Sequence, residues 1–179
     1  MIDYIEGHTL LINKPLRWTS FDVVKKIRNN LRTALQVKKI KVGHAGTLDP
    51  LADGLLIVCT GKFTKRINEF QAQEKEYTAE LTLGATTPSF DLETEINETF
   101  KYNHITEEML KTTAASLTGN ILQTPPIYSA IKQDGKRLYE HARKGDNVKI
   151  KERMVHVSKF EILKVEMPKV HVKIVCSKG

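Results

Sequence analysis

Gly43-His44-Ala45-Gly46-Thr47-Leu48-Asp49-Pro50-Leu51-Ala52-Asp53-Gly54 is the stretch on which the reading of this sequence turns. Three glycines, a proline, a histidine and two aspartates fall within twelve residues. The glycines permit tight turns and close approach of backbone to a ligand. Pro50 pushes the residue before it out of the helical region. Asp49 is therefore expected in an extended, fixed loop, which suits a carboxylate that must be aimed. An aspartate alone in a Gly/Pro loop is ordinarily a turn former, so its meaning depends on what surrounds it. Immediately downstream, the apolar run from Gly54 to Thr60, closed by Gly61, predicts a strand buried on both faces.

Working outward, residues 8–14 read as a short buried strand ending at Pro15. A helix is expected over 20–34, capped by Ser20, with Phe21, Val24, Ile27 and Leu31 on its inner face. A short helix after Gly61 turns Phe63, Ile67 and Phe70 inward. Tyr77, Ala79, Leu81 and Leu83 alternate and predict one face of a strand. Residues 85–103 are polar, acidic and contain Pro88, so they read as a loop. Thr106 is a good N-cap for a helix over 107–118. Ile105 and Leu110 can staple its entry, and Gly119 can end it. A short helix is expected over 137–144. Residues 154–165 and 169–176 alternate as two strands joined at Met167-Pro168. Helices interspersed with strands and a terminal hairpin give an α+β fold with a mixed, mostly antiparallel sheet flanked by helices.

The 179 residues suggest one domain, or one large and one very small, and 40% hydrophobic content is enough for a core. No apolar run reaches the roughly 20 residues of a membrane span, and no signal peptide is visible, so the expected location is the cytoplasm. Cys59 and Cys176 are far apart and lack a CxxC spacing, which argues against a disulfide framework or a zinc site. The net charge of +7 is unevenly distributed. Residues 1–66 hold 12 Lys and Arg against 5 Asp and Glu. Residues 67–131 hold 3 against 10, and residues 132–179 hold 13 against 6. Two basic segments around an acidic one suggest a positive face for a polyanion.

The Gly43–Gly54 stretch closely resembles the catalytic motif of the TruB-type pseudouridine synthases, which make pseudouridine 55 in the T loop of tRNA. The family pattern Gly-His-x-Gly-x-Leu-Asp-Pro-x-Ala-x-Gly is present in full. Asn13-Lys14-Pro15 with Trp18-Thr19-Ser20 resembles the family's N-terminal motif. Lys75-Glu76-Tyr77 leading to Leu83-Gly84, then Thr87 and Asp91, is similar to its tyrosine-bearing strand. Gln123 to Lys132, followed by Gly135, Leu138-Tyr139, Ala142-Arg143 and Gly145, resembles its RNA-binding insertion, which would span about 105–150. Cys176-Ser177-Lys178-Gly179 resembles the start of its last catalytic motif. The resemblance runs in order along nearly the whole chain. It implies the pseudouridine synthase fold over residues 1–179.

The activity implied is isomerisation of uridine to pseudouridine, with Asp49 as the nucleophile on a flipped-out base. Attack on the sugar and attack on the base both remain open. Nothing is oxidised or hydrolysed, so no cofactor or metal is required. Tyr77 is the implied stacking residue, and its phenol could move a proton at C5. His44 resembles the histidine that helps hold the T loop open, and Lys14 with Pro15 the support of the active-site floor. Lys132, Lys136, Arg137, Arg143 and Lys144 fall in the RNA-gripping segment and are expected at phosphates. The partner implied is the T stem-loop of tRNA. A monomer is expected, with no obligate protein partner and no membrane.

The family's last motif continues beyond Ser-Lys-Gly into Thr-Tyr-Ile-Arg, whose arginine pairs with the catalytic aspartate, and many members add a PUA-type domain. This sequence ends at Gly179. An opposite charge helps keep a carboxylate ionised and aimed. The resemblance therefore implies an incomplete catalytic domain, no PUA domain, and a 179-residue chain that is inactive or nearly so. The alternative for such a chain is a tRNA-binding or RNA-chaperone module without activity. A glycosidase using Asp49 and Asp53 would need two carboxyls at a defined separation, and only their proximity in sequence favours it.

Overall fold

The computed structural model describes residues 2–129, 131–133, 135–138 and 150–178. The chain divides into two compact units, residues 1–73 and 74–179. Each unit has its own sheet and its own apolar cluster.

The first unit contains strand β1 (Thr9–Lys14), helix α1 (Ser20–Ala34), strands β2 (Val42–His44) and β3 (Gly54–Thr60), a 3-10 turn (Gly61–Arg66) and helix α2 (Ile67–Gln71). Its sheet has the order β1-β3-β2, and both pairings are antiparallel. β3 is thus the central strand, as a continuous apolar run should be. Leu56, Val58 and Cys59 are buried, but Leu55 is 63% exposed, so β3 is not buried on both faces along its whole length. One face of the sheet packs Leu56 and Val58 against Val23 and Val24 of α1, with Leu10, Ile12, Ile27, Leu31 and Leu48 around them. Each fully buried aliphatic side chain there contributes about 1.5–3 kcal/mol.

α1 has the predicted length with two local differences. Thr19, not Ser20, is the N-cap: its hydroxyl accepts from Asp22 N (3.1 Å), while the Asp22 carboxylate accepts from Thr19 N (2.9 Å). These reciprocal bonds make a capping box, and the Thr19 hydroxyl and then the Thr19 N–H, both donating to the carboxylate, hold the Asp22 carboxyl below its ordinary pKa. Val23 and Val24 are buried on the inner face with Ile27 and Leu31 packed beside them, while Phe21 is 59% exposed beneath the Arg28 guanidinium.

The second unit contains β4 (Lys75–Thr82), the short pair β5 (Ala85–Thr86) and β6 (Glu98–Thr99), helix α3 (Glu107–Ser116), β7 (Gly119–Gln123), the short pair β8 (Lys132–Gln133) and β9 (Lys136–Arg137), and the long strands β10 (Arg153–Glu166) and β11 (Lys169–Cys176). The main sheet runs β4-β11-β10-β7, with every pairing antiparallel. Val170, Val172, Ile174 and Cys176 alternate on one face of β11, opposite Leu81, Ala79, Tyr77 and Lys75 of β4. The other face carries charge, with cross-strand pairs Lys169–Glu80 and Lys173–Glu76. The face predicted for β4 is the observed one, yet Ala79 and Leu81 on it are exposed. β4 is an edge strand, and α3 packs on β10 instead. Thr106 caps α3 as expected, accepting from Met109 N.

Strands β2 and β7 and the two short pairs were not anticipated. The helix expected over 137–144 lies largely outside the described residues, and Arg137 itself pairs with Lys132 in a strand. Among the described residues no helix is long and apolar enough to cross a membrane.

Candidate active site

The loop from Ala45 to Asp53 connects β2 to β3, and its two ends are fixed by the sheet. His44 pairs with Val58, Gly54 pairs with Lys14, and Ala45 N donates to Ile57 O at 2.8 Å. Gly46 and Gly54 have φ of +112° and +115°, a region that side chains disfavour, and open space surrounds both Cβ positions. Backbone conformation, not crowding, therefore requires glycine at these two places. His44 Nδ1 bonds Gly46 O and ties the start of the loop to its own strand. In the neutral ring this bond makes Nε2 the nitrogen that carries the lone pair.

Asp49 begins a four-residue turn through Pro50 and Leu51, closed by Ala52 N donating to Asp49 O at 3.0 Å. Aspartate at the first position and proline at the second suit such a turn. The residues on either side of Asp49 are held by the β1–α1 connection. Ser20 Oγ accepts from Leu48 N at 2.9 Å and donates to Leu48 O at 3.1 Å. Arg17, in a left-handed conformation with φ of +66°, donates its backbone N–H to Pro50 O at 2.7 Å. Leu48 packs against the apolar cluster of the first unit, while Asp49 is exposed. The chain thus anchors both neighbours of Asp49 and leaves the residue between them exposed.

Lys14 has no exposed surface, and its Nζ donates to Pro15 O (3.1 Å) and Trp18 O (2.6 Å). Its amino group is spent on the connection that holds the loop. The sequence pointed to Lys14 but not to these partners.

A cleft of about 660 Å³ on the same unit is lined by eleven residues, seven of them Lys or Arg and none acidic. Arg28, Arg32, Lys41 and Lys65 are among them. The surplus of cations over residues 1–66 signalled this charge, but the residues that gather around one cleft come from α1, the segment before β2 and the turn after β3.

Tyr77 lies on β4 of the second unit, opposite Ile174, half-buried and packed against the cluster of Val155, Val157 and Cys176. Lys132, Lys136 and Arg137 belong to the β8–β9 hairpin. Arg143 and Lys144 lie outside the described residues. Cys59 and Cys176 are both buried free thiols, and burial pushes both pKa values up. Among the described residues no group of three or more His, Cys, Asp or Glu is placed to hold a metal ion.

Residues 32–179 match the family described as TruB family pseudouridylate synthase, N-terminal domain. The chain belongs to this family. It is 53% identical over 178 residues to tRNA pseudouridine synthase B of Flavobacterium johnsoniae, covering 99% of this chain and 78% of that protein. It is 54% identical to the protein of the same name from Parabacteroides distasonis, covering 99% of this chain and 76% of that one. The corresponding protein of Chlorobium chlorochromatii is 48% identical over 174 residues, covering 97% of this chain and 68% of that one.

Among solved structures, a crystal structure of a Cbf5–Nop10–Gar1 complex matches with a TM-score of 0.66 at 24% identity, over 98% of this chain and 41% of that one. An H/ACA ribonucleoprotein bound to a substrate RNA containing 2′-deoxyuridine matches with a TM-score of 0.61 at 21% identity, over 97% of this chain and 38% of that one. At this identity the likeness concerns the fold, and it places this TruB-family chain in the pseudouridine synthase fold.

Proposed function

We propose that this chain carries the catalytic core of a tRNA pseudouridine synthase that isomerises a uridine of the T loop, at position 55, with Asp49 as nucleophile. The observation that carries the reading is the exposed Asp49 between two anchored neighbours, Leu48 and Pro50. It sits in a chain more than half identical to proteins named for this activity.

The reaction breaks the bond from uracil N1 to C1′ of the sugar and forms one from C5 to C1′. A proton leaves C5 and one is gained at N1, so the product is an isomer and no electrons are transferred. A carboxylate attacking C1′ or the base supplies the covalent step in either route, and rigid anchoring aims it at low entropic cost. The base must first leave its stack, at a cost of a few kcal/mol. Stacking on Tyr77 would offset about 1–3 kcal/mol of this. His44 would contact the opened loop through Nε2. The basic cleft of the first unit, together with Lys132, Lys136, Arg137, Arg143 and Lys144, would meet phosphates and fix register without reading sequence.

The cleft also supports a second reading, in which the 179-residue chain binds and folds tRNA without modifying it. One assay addresses both. Unmodified tRNA is incubated with the longest form of the protein and with the 179-residue chain, and pseudouridine is mapped by carbodiimide-stop sequencing, with Asp49→Asn as control. The expected result is a stop at position 55 with the longest form and none with Asp49→Asn, which still binds tRNA. Equal signals from wild type and Asp49→Asn would sink the enzyme reading.

A further inference from the structure

We propose that Ser20 is a positioning residue for Asp49, acting through the backbone of Leu48; the inference rests on the reading of Asp49 as the nucleophile. A serine one residue inside a helix ordinarily assists its N-terminus or faces solvent. Ser20 does neither. The capping role is taken by Thr19 and Asp22, which satisfy each other's backbone donors. Ser20 itself is 3% exposed, and its hydroxyl uses both its donor and its acceptor capacity on Leu48. One side chain therefore satisfies the N–H and the C=O of the residue that precedes Asp49.

This arrangement fixes more than position. Two bonds to one residue define the orientation of its flanking peptide planes, and the plane after Leu48 is the one that carries Asp49. On the other side, Arg17 N holds Pro50 O at 2.7 Å, and Lys14 Nζ bonds Pro15 O and Trp18 O on either side of Arg17. The first turn of α1 is rigid because its other face is core: Val23 and Val24 are 4% and 2% exposed. The rigidity of the helix is thereby delivered through the Ser20 hydroxyl to the peptide that precedes Asp49. Without that hydroxyl the peptide planes on both sides of Leu48 lose their tie to the helix, and the direction of Asp49 is less tightly fixed.

The test uses the longest form of the protein and three variants, Ser20→Ala, Ser20→Thr and Thr19→Ala. Thr19→Ala removes the cap and weakens α1 while sparing the Ser20 hydroxyl, so it reports what loss of helix stability does by itself. The readouts are kcat and KM for T stem-loop RNA, the melting temperature, and amide hydrogen exchange over residues 45–53. Ser20→Ala is expected to lower kcat by roughly 10- to 100-fold, the scale on which small misplacement of a catalytic group acts. KM should stay within about twofold of wild type, and exchange at Leu48 should rise. Thr19→Ala should lower the melting temperature with kcat within about twofold of wild type. Ser20→Thr, which keeps the hydroxyl, should recover part of the lost kcat.

A Ser20→Ala protein with kcat unchanged would overturn the proposal, and so would equal losses of kcat in Ser20→Ala and Thr19→Ala. If wild type makes no pseudouridine, the functional reading fails, and unchanged exchange at Leu48 in Ser20→Ala would still overturn the clamp.

Discussion

The Nζ of Lys14 donates to the backbone oxygen of Trp18 at 2.6 Å from a side chain with no exposed surface. A buried amino group bonded to two carbonyls organises the chain around it, and removing it leaves those carbonyls unsatisfied. Lys14→Met should therefore destabilise the first unit by about 1–3 kcal/mol. Affinity for tRNA should change little. Chemical denaturation and a filter-binding titration separate the outcomes. Weakened binding with unchanged stability would instead make Lys14 a substrate contact.

The basic cleft leads to a prediction about salt. Each phosphate neutralised by a Lys or Arg releases counterions, so the logarithm of the association constant falls linearly with the logarithm of salt concentration. Replacing Arg32 and Lys41 together by alanine should weaken tRNA binding and make that slope shallower by roughly one per lost contact. Measuring affinity across a series of salt concentrations provides the check. A parallel line, displaced but equally steep, would mean that these cations do not touch phosphate.

Much of the first unit was legible in the sequence because its signals are local. The Gly54–Thr60 run is bounded by glycines and is the observed β3. The span of α1 followed from periodicity, but its cap did not. Ser20 was the expected cap, whereas Thr19 has Asp22 three residues on and forms the box; the Thr-x-x-Asp spacing was the available signal. The role of Ser20 could not be read locally, since its partner Leu48 lies 28 residues away. β2 has three residues and β7 five, too short for a periodic pattern to emerge. The residue types of the site were visible, but the bonds that aim Asp49 join segments distant in sequence.

Cys59 and Cys176 lead to a prediction about pH. Burial raises both thiol pKa values, so the folded chain keeps protons that the unfolded chain would release. Below the ordinary thiol range both states are protonated, and these groups add nothing to the pH dependence. As the pH rises from that range towards the raised folded values, unfolding releases protons and stability falls. Alkylation at pH 8 should be slow for both cysteines in the folded chain and fast in denaturant. Replacing both by alanine should flatten the alkaline loss of stability. Rapid labelling of Cys59 in native conditions would contradict its complete burial.

Tyr77 offers a separation of packing from chemistry. Its ring lies on the apolar face of β4, opposite Ile174 and against the cluster of Val155, Val157 and Cys176. Tyr77→Phe keeps the ring and removes the hydroxyl, whereas Tyr77→Ala removes both. Truncation of a large aromatic in a core costs about 3–5 kcal/mol, and a half-buried ring should cost less. Tyr77→Ala should therefore lower the melting temperature and the turnover together. Tyr77→Phe, which keeps the ring, should lower the melting temperature less than Tyr77→Ala does. If the phenol moves the C5 proton, Tyr77→Phe should lower kcat by roughly 100-fold or more, the scale of a lost general acid–base group, while RNA affinity holds. If the ring only stacks or packs, kcat should stay within a few-fold of wild type. Single-turnover kinetics on a T stem-loop distinguishes the two, because it reports the chemical step apart from product release.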